Sequence, residues 1–250
     1  MHIQPMNKHL SQRREEPTLN QTTLNGTSQS AAQTARIDSH DLVGLGSDLV
    51  LDSREVSRKL WHMTPGALIL GLPLVGHYEP FTSHLPALIV IFTAMLFVLS
   101  LVHAKRFTRA GERDWATSVG AYAATALLPL IMFPGHVELA LTALVILAFG
   151  DGAAALGGMA LRGPALPWNE KKTLAGTLSF ILCAAPCATW IYWGISSPHV
   201  SFEIALINGV AAAAVAAVAE SIQSSINDNI RVGAAATSML LMLQWFMPGV

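Results

Sequence analysis

Charge is scarce in this chain. Only 12% of its 250 residues are Asp, Glu, Lys or Arg, while 52% are hydrophobic. A soluble domain carries about 25% charge, so an ordinary water-soluble fold is excluded. Disorder of the whole chain is excluded too, because so much apolar surface collapses. Cysteine is nearly absent: Cys183 and Cys187, four apart in an apolar run, cannot build a disulfide scaffold and suit helix packing instead. Neither sign of charge dominates, with 15 Lys+Arg against 16 Asp+Glu, so nothing in the bulk charge points to nucleic acid. An apolar core of the kind a signal peptide needs does not follow the early basic residues. Residues 1–46 read as a disordered cytoplasmic tail, since the stretch from Thr18 to Thr34 is largely Asn, Gln, Ser, Thr and Ala.

What is present is a series of apolar segments. Seven can be drawn near the length a bilayer needs: Met63–Tyr78, Leu85–Val102, Ala116–Phe133, Val137–Leu161, Leu174–Trp193, Phe202–Ala219 and Val232–Phe246. Prolines 73, 129 and 186 interrupt three of them, which neighbouring helices tolerate. The six tryptophans fall near segment ends, where an interfacial aromatic belt would place them. The expected fold is all-α: a polytopic membrane helix bundle of about seven transmembrane helices, spanning residues 47–250 and preceded by the tail.

Basic residues occur in the N-terminal region and in connections 103–115, 162–173 and 220–231, whereas connections 79–84, 134–136 and 194–201 have none. With seven spans the two sets alternate, and all 15 Lys+Arg fall on one side. The positive-inside rule makes that side cytoplasmic, with the N-terminus inside and the C-terminus outside. Just before the first span, Ser47–His62 has helical apolar spacing at Leu49, Val56 and Leu60 with charges between, and reads as an interfacial helix. Arg58-Lys59 there is either an orientation anchor or part of a site.

Ionisable groups inside spans are costly and usually functional. Asp151 lies ten residues from the cytoplasmic end of the fourth segment, about 15 Å deep in a continuous helix. Gly150, Gly152, Gly157 and Gly158 surround it, so the helix either breaks to admit a ligand or packs tightly. In Leu166–Thr177, Lys171 and Lys172 lead into the fifth span and can neutralise a polyphosphate, although they also serve as an anchor. No Walker loop occurs. Glu220 and Asp228 flank a polar connection; eight residues of helix would hold them about 12 Å apart, too far to share an ion unless the chain turns. All these groups open towards the cytoplasmic side, where nucleoside triphosphates and Mg²⁺ are found. Carboxylates that hold Mg²⁺ and lysines that hold phosphates are what a phosphoryl- or nucleotidyl-transfer site needs. His77, His84, His136 and His199 scatter over the other connections without metal-ligand spacing.

At these residues the sequence resembles the dolichol kinase, phytol kinase and CTP-dependent diacylglycerol kinase family. The matching elements are Arg58-Lys59-x-x-His62, Gly150-Asp151-x-x-Ala154 with Gly157 behind it, Leu166-Pro-x-Asn-x-Lys171-Lys172-Thr173-x-x-Gly176-Thr177, and Asp228-Asn229. They occur in family order over about residues 54–246. Two positions depart from the pattern: Gly158 stands where relatives often have Arg, and Arg231-Val-Gly follows where a proline is usual. The resemblance implies an integral-membrane kinase that moves the γ-phosphate of a nucleoside triphosphate, typically CTP, to a lipid hydroxyl. Dolichol-like polyprenols, phytol, farnesol-type alcohols and diacylglycerol are all candidate acceptors, and UTP or ATP are alternative donors. Asp151 and Lys172 would be catalytic, with Asp151 either a metal ligand or the base. Arg58, Lys59, Asn169, Lys171, Thr173, Gly176 and Asn229 would bind the nucleotide phosphates. A divalent cation such as Mg²⁺ would be held by Asp151 with Asp228 or Glu220. The related phosphatidate cytidylyltransferases share the Asp and Lys-Lys-Thr-x-x-Gly elements but carry a C-terminal Lys-Arg signature that is missing here. A small transporter with Asp151 as its ion site is the reading outside enzymes.

Overall fold

The computed structural model describes residues 53–74, 81–102 and 115–246. The tail and the basic connection holding Lys105, Arg106, Arg109 and Arg113 lie outside the described residues. Seven α-helices and one hairpin are described: α1 (Ser53–Ile69), a 3-10 turn (Leu72–Leu74), α2 (Phe81–Val102), α3 (Trp115–Met132), α4 (Val137–Leu161), β1 (Ala165–Leu166), β2 (Asn169–Thr173), α5 (Leu174–Ile195), α6 (Phe202–Ser221) and α7 (Asp228–Phe246).

The bundle is organised around α4. Every residue from Glu138 to Ala148 is buried, and the helix packs against α1, α3, α5, α6 and α7. A helix enclosed on all sides must be apolar on all faces, which is why its sequence shows no amphipathic period. Around it, α5 and α6 meet through small residues: Ala184, Ala185 and Ala188 share a buried cluster with Ala205, Ala212, Ala213 and Ala216. Gly209 lies so close to Thr189 that a Cβ there would overlap its side chain. Small residues let backbones approach and replace hydrophobic driving force with van der Waals packing.

Outward faces are apolar as well. Ile91 and Met95 on α2, Leu178 and Leu182 on α5, and Leu206, Val210 and Val218 on α6 are exposed. In water such rows would promote aggregation. Helices α4, α5 and α6 are long and apolar enough to cross a membrane, and shorter apolar stretches occupy His84–Leu96 and Thr117–Met132. The architecture fits a membrane protein, and three of the seven expected spans meet the length and hydropathy of a crossing helix among the described residues.

Two local expectations are corrected and one open alternative is decided. The border between an interfacial helix ending at His62 and a span starting at Met63 does not exist, because α1 runs unbroken to Ile69 with Pro65 inside it. Pro65 has no N–H to give to the Trp61 carbonyl in the preceding turn, and next to it the Thr64 hydroxyl donates to the Leu60 carbonyl at 3.2 Å. The helix then ends in a turn at Gly71 and the 3-10 segment, so the expected first span Met63–Tyr78 is not one helix. Second, the glycines of α4 do not break it. Gly150 leaves room for the Phe180 ring, Gly152 for Met63 and Gly157 for Ser179, each so close that a Cβ would overlap. Third, the segment entering the fifth span is an antiparallel hairpin, with Ala165 opposite Thr173 and Leu166 opposite Asn169. The hairpin follows directly from the left-handed turn at Arg162 (φ +43°) that stops α4.

Candidate active site

The hairpin delivers two lysines to the end of α4. Its tip is fixed to the last residue of α6: Trp168 Nε1 donates to Ser221 Oγ at 3.1 Å, and Asn169 Nδ2 donates to the Ser221 carbonyl at 2.9 Å. Asn169 Oδ1 accepts the Lys171 N–H at 3.1 Å, which shapes the strand that follows. Thr173 is extended and caps α5, its Oγ1 accepting the Gly176 N–H at 3.1 Å and satisfying one orphan donor of the first turn. Gly176 allows the start of α5 to press on α4: a Cβ would sit 2.8 Å from the Ala154 carbonyl oxygen.

These elements close around a cavity of about 830 Å³. Arg58, Lys59 and His62 enter from α1, Asp151 from α4, Lys171, Lys172 and Thr173 from β2, Gly176 from α5, Glu220 from α6, and Asp228 and Asn229 from α7. Residues separated by more than 170 positions therefore converge on one chamber. Glu220 and Asp228 both reach it because α6 stops at Ser221 and the chain turns before α7, so the straight-helix separation does not apply.

The charges are paired. Lys59 Nζ donates to Asp151 Oδ2 at 2.7 Å, and His62 Nε2 lies 3.5 Å from the same oxygen. Lys59 is 8% exposed. Its partner sits 92 positions away, so the pair ties α1 to α4. Lys172 Nζ is ion-paired with Glu220 Oε1, and Glu220 is only 2% exposed. Four cations (Arg58, Lys59, Lys171, Lys172) thus face three carboxylates (Asp151, Glu220, Asp228) around the cavity, a surplus of one positive charge. That balance suits a polyanion carrying its own cation.

Most of the residues singled out in the sequence come together here. Asn169 does not line the cavity; its amide is spent on Ser221 and the Lys171 backbone. Asn229 lines it, yet its Nδ2 donates to the Ser118 carbonyl at 3.0 Å while its own carbonyl accepts from Thr125 Oγ1 at 3.1 Å, tying α7 to α3. No group of three or more His, Cys, Asp or Glu able to hold a metal occurs among the described residues. The three expected ligands therefore do not form a closed cage, and two of them face lysines. Asp151 and Asp228 nevertheless both line the cavity, and one or two protein carboxylates are what Mg²⁺ takes when phosphate oxygens and water complete its shell.

Sequence reasoning passed over several contributors. Tyr122, within an apolar α3, donates from Oη to the His62 carbonyl at 3.2 Å and packs edge-on against its ring at 4.5 Å. Arg231, where the resemblance has proline, donates to the Ala219 and Ile222 carbonyls and so caps the end of α6 that carries Glu220. At the far end of α4, Glu138 is 3% exposed and bonded to Gln244 Nε2 (3.0 Å) and His136 Nδ1 (2.9 Å). His136 is a loop histidine at the start of α4, as expected, and its partner there is Glu138. A polar residue opening a span looks interfacial, so only the fold exposes that cluster.

Asn169 is a positioning residue for both lysines. Asn169→Ala should leave the bundle folded while weakening the binding of a polyanion in the cavity by roughly 5-fold, since one buried hydrogen bond is worth about 1 kcal/mol. Nucleotide titration of the purified variant beside a thermal melt checks this.

Comparison with known proteins yields a distant relative. The chain is 26% identical over 155 residues to "Probable phytol kinase 3, chloroplastic" of Glycine max, a match that covers 59% of this chain and 49% of that protein. The chain spans about half the length of that relative. No family profile matches it, and no solved structure matches it.

Proposed function

We propose that this protein is a membrane-embedded lipid-alcohol kinase that transfers the γ-phosphate of a nucleoside triphosphate, CTP by the motif resemblance, to a lipid hydroxyl. The observation that carries the reading is one cavity lined by four cations and three carboxylates together with apolar side chains from α1, α2, α3 and α4. The distant similarity to a phytol kinase supports it. The finer arrangement belongs to the same proposal: seven spans, N-terminus and cavity facing the cytoplasm, and the C-terminus opposite.

In this mechanism the triphosphate occupies the charged end. Lys172 and Lys171 hold its phosphate oxygens and offset the charge that develops on them, with Arg58 and Lys59 as a further clamp. Asp228 would hold a bound Mg²⁺, with Asp151 as its second ligand or as the base, and the ion when present neutralises phosphate charge. The lipid hydroxyl oxygen attacks the γ-phosphorus in line. The bond from that phosphorus to the β–γ bridging oxygen breaks, and the nucleoside diphosphate leaves with the electron pair. The hydroxyl proton passes to Asp151. Entry of the polyphosphate draws Lys59 and Lys172 from their carboxylate partners, so the lysine-paired acids are a resting state that the substrate opens.

Purified protein given CTP, UTP or ATP in turn, with a lipid alcohol in mixed micelles, should form nucleoside diphosphate and lipid phosphate one for one, fastest with CTP. Absence of lipid phosphate from every donor contradicts the proposal.

A further inference from the structure

The cavity continues past its charges. On α4, Leu144 lines it seven residues before Asp151, about 10 Å deeper along the helix. Pro65 of α1, Phe92 of α2, and Ala123 and Ala126 of α3 line it as well, and Ala126 shares one buried apolar cluster with Leu144. A polar chamber with an apolar extension suits an amphiphile whose reacting group lies at one end. The whole space, about 830 Å³, is in the range for one small-molecule ligand.

The extension also has an open side. Among the described residues, helix α2 packs on α3 and makes no comparable contact with α1, whereas α1 packs on α4. Trp61 on α1 lines the cavity and is still 40% exposed. On α2, Phe92, Thr93 and Leu96 line the cavity while Ile91 and Met95 face outward. An apolar surface thus runs from the outer face of α2 to the inner slot, continuous with the chamber that holds Asp151.

Resting on the kinase reading above, we propose that the lipid alcohol enters sideways between α1 and α2, its chain lying in the Phe92–Ala126–Leu144 slot with the hydroxyl at Asp151. Phe92 and Ala126 face this slot from neighbouring helices and set its width. They are specificity-determining residues: enlarging Ala126 closes the slot to any chain, and trimming Phe92 widens it.

The test uses the full chain in lipid nanodiscs and a straight-chain alcohol bearing a photoreactive diazirine on its alkyl part. Illumination followed by peptide mapping should label α2 and α3 around Phe92 and Ala126. Ala126→Trp should cut that labelling at least 10-fold while leaving nucleotide binding unchanged. Phe92→Ala, a cavity-forming change unable to block folding by overlap, should raise the relative rate with a branched or two-chain alcohol several-fold. Labelling confined to the outer faces of α5 or α6, or labelling indifferent to Ala126→Trp in a protein that still binds nucleotide, overturns the portal. Slot labelling without any phosphate transfer upholds the portal and removes the kinase reading. Phosphate transfer with labelling elsewhere does the reverse.

Discussion

Asp151→Asn is expected to lower lipid phosphorylation by roughly 10³-fold or more. The exchange is nearly isosteric, and the amide oxygen can still accept from Lys59, now 2.7 Å from the carboxylate. What is lost is the negative charge and the proton acceptor at the point where the chamber meets the apolar slot. Rates should be referred to the folded fraction, because Lys59 is buried and loses its counter-charge. A turnover within a few-fold of the unmodified protein would mean that Asp151 neither holds a cation nor takes the hydroxyl proton.

Lys172 carries the second large effect, and its pairing with Glu220 allows function and stability to be separated. Lys172→Met should reduce transfer by about 10²- to 10³-fold through loss of one preorganised contact to the phosphates. It also leaves the buried Glu220 without its counter-charge, which costs roughly 1–3 kcal/mol because Lys172 itself is partly exposed and water screens the pair. The double variant Lys172→Met/Glu220→Gln should recover most of that stability and none of the activity. Thermal melts and turnover measured on the single and double variants give the coupling directly. Recovery of activity in the double variant would assign Lys172 a purely structural role.

The parts of this molecule that were legible in sequence share a physical cause. Helix α4 was drawn as Val137–Leu161 and is found there, because a helix enclosed by its neighbours admits no charge and leaves a long apolar run. Asp151 stood out for the same reason. The two lysines, Glu220 and Asp228 were legible as charges, and the resemblance set them in one order along the chain. Their pairing was not, since the contacts of Lys59 with Asp151 and Lys172 with Glu220 join residues 92 and 48 positions apart.

The hairpin escaped notice because its strands are two and five residues long and β2 is almost wholly polar, so no alternating pattern marks it. Asn169 looked like a phosphate ligand, being polar and close to the lysines; only its bond to Ser221, 52 positions away, reveals an anchor. The glycines around Asp151 admitted two readings, a broken helix or tight packing. The side chains of Phe180, Met63 and Ser179 decide for packing. Tyr122 and Glu138 were hidden by their surroundings, one inside an apolar segment and the other at the edge of one.

The most direct test of the account follows the fate of each phosphate. Purified protein in lipid nanodiscs would be given CTP labelled at either the γ- or the α-phosphate together with a lipid alcohol. The account predicts that γ-label moves to the lipid while α-label stays in CDP, and that Asp151→Asn abolishes the transfer. Recovery of α-label in the lipid with release of pyrophosphate would make the protein a nucleotidyltransferase and contradict it.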